Sequence, residues 1–156
     1  MTPYTNIFKR FSRKIKQDKS FFFYESITEE ETLQIINQRS LDLLNDSIVE
    51  FQPQIAINQN VNMLDKDDDL QVFNFNLIPT EEDLISDLMV IKLFEEQSIR
   101  LKELQKYLGN DIKPFSPNEE RKTFMDMLDE KQNKFEIKVA LYNSIDRNTG
   151  KFLLAY

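Results

Sequence analysis

Residues 88–94 constrain the architecture of this 156-residue chain more than any other stretch. Leu88, Met89, Val90, Ile91, Leu93 and Phe94 leave Lys92 as the one polar side chain in it. A helix that is apolar on every side has no face to turn to water and belongs in the middle of a bundle. The flanking signals make the segment helical. Thr80 with Asp83, just after Pro79, is a capping signal, and Gly109-Asn110 stops the helix after Leu108. Between them Leu84, Leu101 and Leu104 keep the apolar spacing. One long helix over about 80–108 is therefore expected to run through the centre of the fold.

Shorter helices are expected around it. Thr2 before Pro3 reads as an N-cap and first helical residue, and Tyr4, Ile7, Phe8, Phe11 and Ile15 recur at helical spacing over about 3–16. Thr28 with Glu31 forms a capping box for a helix at about 28–50, carrying Leu33, Ile36, Leu43, Leu44 and Ile48, with Pro53 beyond its end. Ser116-Pro117 opens a last helix, with Phe124, Leu128, Phe135, Val139 and Tyr142 on its apolar face and its end near Ile145. The aromatic run at 20–24 is too short for a helix and suits an extended connector.

Residues 53–79 lack helical periodicity. Ile55, Ile57 and Val61 alternate with polar residues, as do Phe73, Phe75 and Leu77 further on. Two short strands joined by the charged loop at 65–69 fit this pattern, with an extended unpaired loop as the alternative. The stretch 146–150 is turn chemistry, followed by the apolar tail Phe152-Leu153-Leu154-Ala155-Tyr156. The expected fold is mainly α: a single domain over 1–156, built as a small helical bundle around a long central helix. It carries a short β-hairpin or extended loop at 53–79 and a C-terminal arm at 146–156.

Composition narrows the chemistry. With neither cysteine nor histidine, thiolate metal sites, thiol nucleophiles and the usual general base are excluded. Two glycines leave no Gly-rich phosphate cradle, and no cofactor is expected. Asp65, Asp67 and Asp69 have the alternate spacing of a calcium loop. Leu70 stands where such a loop needs its glycine, and Asn76 where it needs its bidentate glutamate, so a solvated loop is expected and no metal. No apolar run approaches the ~18 residues of a membrane span, and no apolar signal segment opens the chain, so synthesis inside the cell is expected.

Charge is unevenly placed. Lys9, Arg10, Arg13, Lys14, Lys16 and Lys19 stand against Asp18 alone in the first twenty residues, yet the whole chain has a net charge of −7. The basic amphipathic helix over 1–19 admits an anionic membrane surface, nucleic-acid phosphates or an acidic face of another subunit as partner, or it covers its own core and exposes its lysines. The acidic body argues against a duplex reader and suits a surface that DNA slides past. The apolar tail either packs on its own core or anchors in a neighbour.

The order of these features resembles a known family. The opening Tyr4-Thr5-Asn6-Ile7-Phe8, with Phe11 and Lys14-Ile15-Lys16 behind it, is similar to the start of the head–tail connector (adaptor) proteins of tailed bacteriophages. Similar too are Phe22-Phe23-Tyr24, Glu29-Glu30-Glu31, the Leu43-Leu44 helix ending at Phe51, Thr80-Glu81-Glu82 leading to Leu88-Met89, and Phe115-Ser116 before Asn118. The resemblance runs from Tyr4 to about Leu128. It implies a virion structural protein without catalysis. Subunits of this kind assemble into a ring, commonly of twelve, between the portal and the stopper or tail, and extend the channel for double-stranded DNA without reading its sequence. On that reading the protein sits in the neck of the virion and has no membrane partner. Lys9, Arg10, Arg13 and Lys14, together with Lys151, Phe152, Leu153, Leu154 and Tyr156, are the expected partner contacts, and Asp65, Asp67, Asp68 and Asp69 the channel or loop residues. A cytoplasmic helical interaction module, monomeric or dimeric, is the alternative reading, and a carboxylate enzyme without histidine a third.

Overall fold

The computed structural model describes residues 1–17, 29–108 and 117–153. Four helices account for most of them: α1 (Tyr4–Gln17), α2 (Glu29–Phe51), α3 (Pro79–Leu108) and α4 (Pro117–Asn143). Three two-residue strands, β1 (Thr2–Pro3), β2 (Lys66–Asp67) and β3 (Val72–Phe73), form one small antiparallel sheet with β3 in the middle. The mainly helical bundle with a short hairpin is the architecture the sequence leads one to expect.

Helix α3 is the hub of the packing, with α1, α2 and α4 all laid against it. Leu84, Ile85, Leu88, Met89, Val90, Ile91, Leu93 and Phe94 are all buried, as a segment apolar all round must be. Onto it α1 brings Tyr4, Ile7, Phe11 and Ile15, one residue per turn along a single face. Helix α2 contributes Leu43, Leu44, Ile48 and Phe51, and α4 contributes Leu128, Phe135, Val139 and Tyr142. Phe51 joins two helices, meeting the rings of Phe135 and Tyr142 at 6.3 and 6.2 Å between centroids. Each fully buried side chain of this size contributes about 1.5–3 kcal/mol relative to exposure.

Lys92, the polar exception in the apolar segment, reaches out of the core to the Glu50 carboxylate on α2. Burial alone would lower its pKa, but the hydrogen bond and charge of Glu50 outweigh that and raise it. Arg39 on α2 grips Glu96 on α3 with both terminal guanidinium nitrogens, at 2.6 and 2.7 Å.

Several local expectations give way to long-range contacts. Thr2 does not cap α1. It lies in β1 opposite Phe73, and its hydroxyl accepts the N–H of Leu77 at 2.8 Å. The Tyr4 N–H is taken by the Gln71 carbonyl at 2.9 Å, so a sheet partner 67 residues away replaces a local cap. Thr80 and Asp83 do not form the cap of α3 either. Glu81, the third helical residue after Ile78, reaches back to the Ile78 N–H at 3.0 Å, with Pro79 at the first helical position. The capping box expected at Thr28 and the aromatic run at 20–24 lie outside the described residues, as do Gly109-Asn110 and Ser116.

The hairpin is displaced from its expected place. Its first strand is not the alternating stretch 55–61 but Lys66–Asp67, inside the acidic run. Residues 52–54 and 57–59 form two 3-10 turns instead, leaving Ile57 fully exposed and Gln59 buried. Side-chain amides supply the hydrogen bonds that a strand neighbour would have given. Gln52 accepts the Met63 N–H and donates to the Val61 carbonyl, while Asn143 on α4 accepts the Ala56 N–H and donates to the Gln54 carbonyl. A buried backbone needs its polar groups paired but is indifferent to whether backbone or side chain pairs them.

Candidate functional site

Three features meet near the start of α3: the basic helix, the base of the C-terminal arm and the hairpin. Helix α1 lies along the first three turns of α3, whose Glu82, Asp83 and Asp87 form an acidic stripe. Arg10 Nε meets Glu82 Oε2 at 3.0 Å. Lys14 Nζ donates to Asp83 Oδ1 at 2.7 Å, Asp87 Oδ1 at 2.5 Å and the Ser86 hydroxyl at 2.8 Å. From the other side Lys138 on α4 donates to the second oxygens of the same two aspartates, at 2.9 and 2.6 Å. Two lysines and two aspartates thus clamp α1 and α4 onto α3. Burial alone would raise the Asp83 carboxyl, but hydrogen bonds from Lys14 and Lys138 outweigh it and hold the group below its ordinary value. Burial would lower the Lys138 ammonium, and Asp87 and Asp83 together raise it instead.

Of the basic residues expected to meet a partner, Arg10 and Lys14 are engaged within their own chain, because acidic residues lie on the helix that α1 covers. Lys9 and Arg13, on the outer side of α1, are exposed.

A second cluster ties down the C-terminal arm. Glu81 has no solvent exposure, and both of its oxygens are fully subscribed. Oε1 accepts the Tyr142 hydroxyl at 2.7 Å and Arg147 Nε at 2.5 Å. Oε2 accepts the Ile78 N–H at 3.0 Å and Arg147 Nη2 at 3.1 Å. Arg147 also donates to the Asn76 carbonyl and lies 5.8 Å from the centre of the Phe75 ring. Beside it the buried Gln59 donates to the carbonyls of Tyr142 and Ile145 at 3.0 and 2.7 Å, and accepts the Arg147 N–H at 3.1 Å. Burial first, and then the bond to Glu81, push the Tyr142 hydroxyl well above its ordinary range. A carboxylate has about four lone-pair sites, and here four donors occupy them, so Glu81 has none left to accept a substrate proton. The cluster is a structural tie. Pattern reading explains Glu81 as helix-dipole charge and Arg147 as a turn residue. The only local signal for more is a glutamate at the third helical position behind Ile78-Pro79.

A cleft of about 570 Å³ opens next to this tie, walled by Ile78, Pro79, Leu84, Leu141, Tyr142 and Ile145. The arm forms its rim. Asp146 Oδ1 accepts the N–H groups of Asn148 and Thr149 and the Thr149 hydroxyl, and these bonds hold its carboxyl below the ordinary value. Gly150 completes the turn at φ +67°, a left-handed conformation that glycine adopts without steric cost. The chain then folds back, with Asp146 donating to the Lys151 carbonyl, Leu153 donating to that of Ser144, and Phe152 bridging to Ile145. The arm's backbone is anchored while its side chains face outward: Phe152 is 68% exposed and Leu153 39%, and Lys151 is exposed too. Leu154 and Tyr156 lie outside the described residues.

The hairpin carboxylates serve the hairpin. Asp65 accepts the Asn74 amide at 2.8 Å, and Asp67 accepts the Leu70 N–H at 3.0 Å. Asp68 takes Lys66 Nζ at 2.6 Å and the Tyr4 hydroxyl at 2.7 Å, contacts that lower its pKa. Asp69 is exposed. Among the described residues no three carboxylates converge as a metal cage. No helix among them is long and apolar enough to cross a membrane. The structure thus brings the base of the arm and the covered side of α1 to one end of α3. It keeps the hairpin aspartates on the sheet that β1 joins to α1. The chain matches no protein-family model, and neither curated proteins nor solved structures include a significant match to it.

Proposed function

We propose that this chain is a structural subunit of a tailed-phage neck: a head–tail connector that assembles as a ring between portal and stopper or tail and extends the DNA channel. The observation that carries the reading is the C-terminal arm. Its base is held by a buried ion pair and a saturated turn, yet its tip presents Phe152 and Leu153 to solvent. An apolar tip on a braced stalk has little use in an isolated molecule and suits insertion into a neighbour. The order of motifs from Tyr4 to about Leu128 supports the same reading. A helical wall around α3 and an acidic overall charge suit a channel through which DNA passes without adhering.

The test mixes the purified chain with portal rings, with and without stopper protein, and follows mass and particle images. The expected result is a ring of this chain seated on the portal. A chain that stays monomeric and ignores portal and stopper together overturns the reading and leaves the helical interaction module in its place.

A further inference from the structure

We propose that Lys9 and Arg13 on α1 dock on Asp42 and Asp46 on α2 of a second copy of this chain. The inference starts from what the intramolecular pairing leaves over. On α1, Arg10 and Lys14 are used up by α3, whereas Lys9 and Arg13 are exposed and make no ion pair among the described residues. On α2, Arg39 and Glu50 are engaged by α3, whereas Asp42 and Asp46 are exposed and make no ion pair among the described residues, Asp46 adding only a longer-range attraction to Lys92.

The two leftovers match. Each is an i, i+4 pair on an α-helix, so both present two like charges about 6 Å apart along the axis. Two cation–anion contacts therefore form at once when the ridges are laid together. Val49, one turn beyond Asp46 on the same face, is 65% exposed and gives the methylene stems of Lys9 and Arg13 an apolar surface to cover. Both helices pack on α3 and scarcely touch one another, so the ridges are separate patches of one molecule. Ridge against identical ridge would set cation on cation or anion on anion, which disfavours a two-fold pairing of either helix with itself. Unlike patches allow copies to join head to tail, the arrangement that closes into a ring; a reciprocal two-fold with α1 on α2 in both directions makes the same contacts, and an association that stops at the dimer identifies it. The choice of a second copy as occupant rests on the ring reading above.

Charge exchange tests it. Sedimentation velocity at low salt and high concentration should show self-association of the wild-type chain that weakens as salt is added. K9E/R13E alone and D42K/D46K alone should each weaken the association about thirtyfold, since two attractions become two repulsions. An equimolar mixture of these two variants should associate again, as should the fourfold variant carrying all the reversals. All four residues are exposed, so melting temperatures should stay near that of wild type. A wild-type chain that remains monomeric throughout overturns the proposal, as do reversed variants that associate like wild type or a mixture that fails to recover. Portal binding is read separately. Salt-sensitive self-association with the full exchange pattern but no portal binding removes the connector reading and keeps this interface. A ring on the portal that ignores the reversals does the opposite.

Discussion

Replacing Arg147 with alanine strips the guanidinium from a carboxylate that has no access to water. Breaking a buried ion pair by removing one partner costs about 3–5 kcal/mol, because the remaining charge is left uncompensated. Glu81 would keep the Tyr142 hydroxyl and the Ile78 N–H as donors, which places Arg147→Ala at the low end, about 3 kcal/mol. For a chain of this length each kcal/mol moves the melting temperature by about 2–4 °C, so a fall of about 6–12 °C is expected. Urea unfolding followed by circular dichroism gives the free energy directly. The paired controls are Glu81→Gln alone and Glu81→Gln combined with Arg147→Ala, the latter removing both charges together. If the two residues act as one unit, the double variant should lose less than the sum of the single variants by about 2 kcal/mol. A loss below about 1 kcal/mol for Arg147→Ala, or strict additivity in the cycle, would refute the view that this tie holds the arm.

Gln59→Ala removes three hydrogen bonds and leaves the carbonyls of Tyr142 and Ile145 without this donor; a loss of about 2–3 kcal/mol in urea unfolding is expected. Deleting the chain from Lys151 onward removes, among the described residues, two backbone–backbone hydrogen bonds and the exposed side chains of Lys151, Phe152 and Leu153; on the proposed connector function, portal docking read by co-sedimentation should fall far more than the melting temperature does. The folded Asp83 carboxyl lies below its ordinary value, so the stability it provides is complete above about pH 5 and disappears as pH falls through the lowered pKa. Asp83→Asn should therefore be less stable than wild type at about pH 7, with the gap closing toward about pH 2, as read from urea midpoints across that range.

The helical faces were legible because a helix repeats its environment every three to four residues. Tyr4, Ile7, Phe11 and Ile15 announce one buried stripe, and residues 88–94 announce a buried core helix, with no knowledge of what they touch. The arm's tie was not legible, because its members come from three separated stretches of chain, at 59, 75–81 and 142–147. Glu81 and Arg147 are 66 residues apart in sequence, and Gln59 and Arg147 are 88. Each has an adequate local explanation taken alone, and only the fold supplies the partner. Thr2 failed as a cap for the same reason: its hydroxyl serves Leu77 across the sheet. The stretch 55–61 alternates like a strand but has side-chain amides as its partners, and period-two alternation cannot register that substitution. The basic helix was half legible. Its amphipathic character is plain, whereas the division into inward Arg10 and Lys14 and outward Lys9 and Arg13 follows from which turn of α3 lies beneath.

The amide scaffold of residues 52–63 has a consequence for how the protein behaves when crowded. An isoleucine- and valine-bearing segment with open backbone groups is a template for another chain to extend a sheet upon. Here Gln52 and Asn143 hold several of those groups, and the left-handed Asn60 breaks the extended line. Replacing those amides with apolar residues of similar size would free that template, and fibrous aggregation rather than simple unfolding is the failure such a change invites.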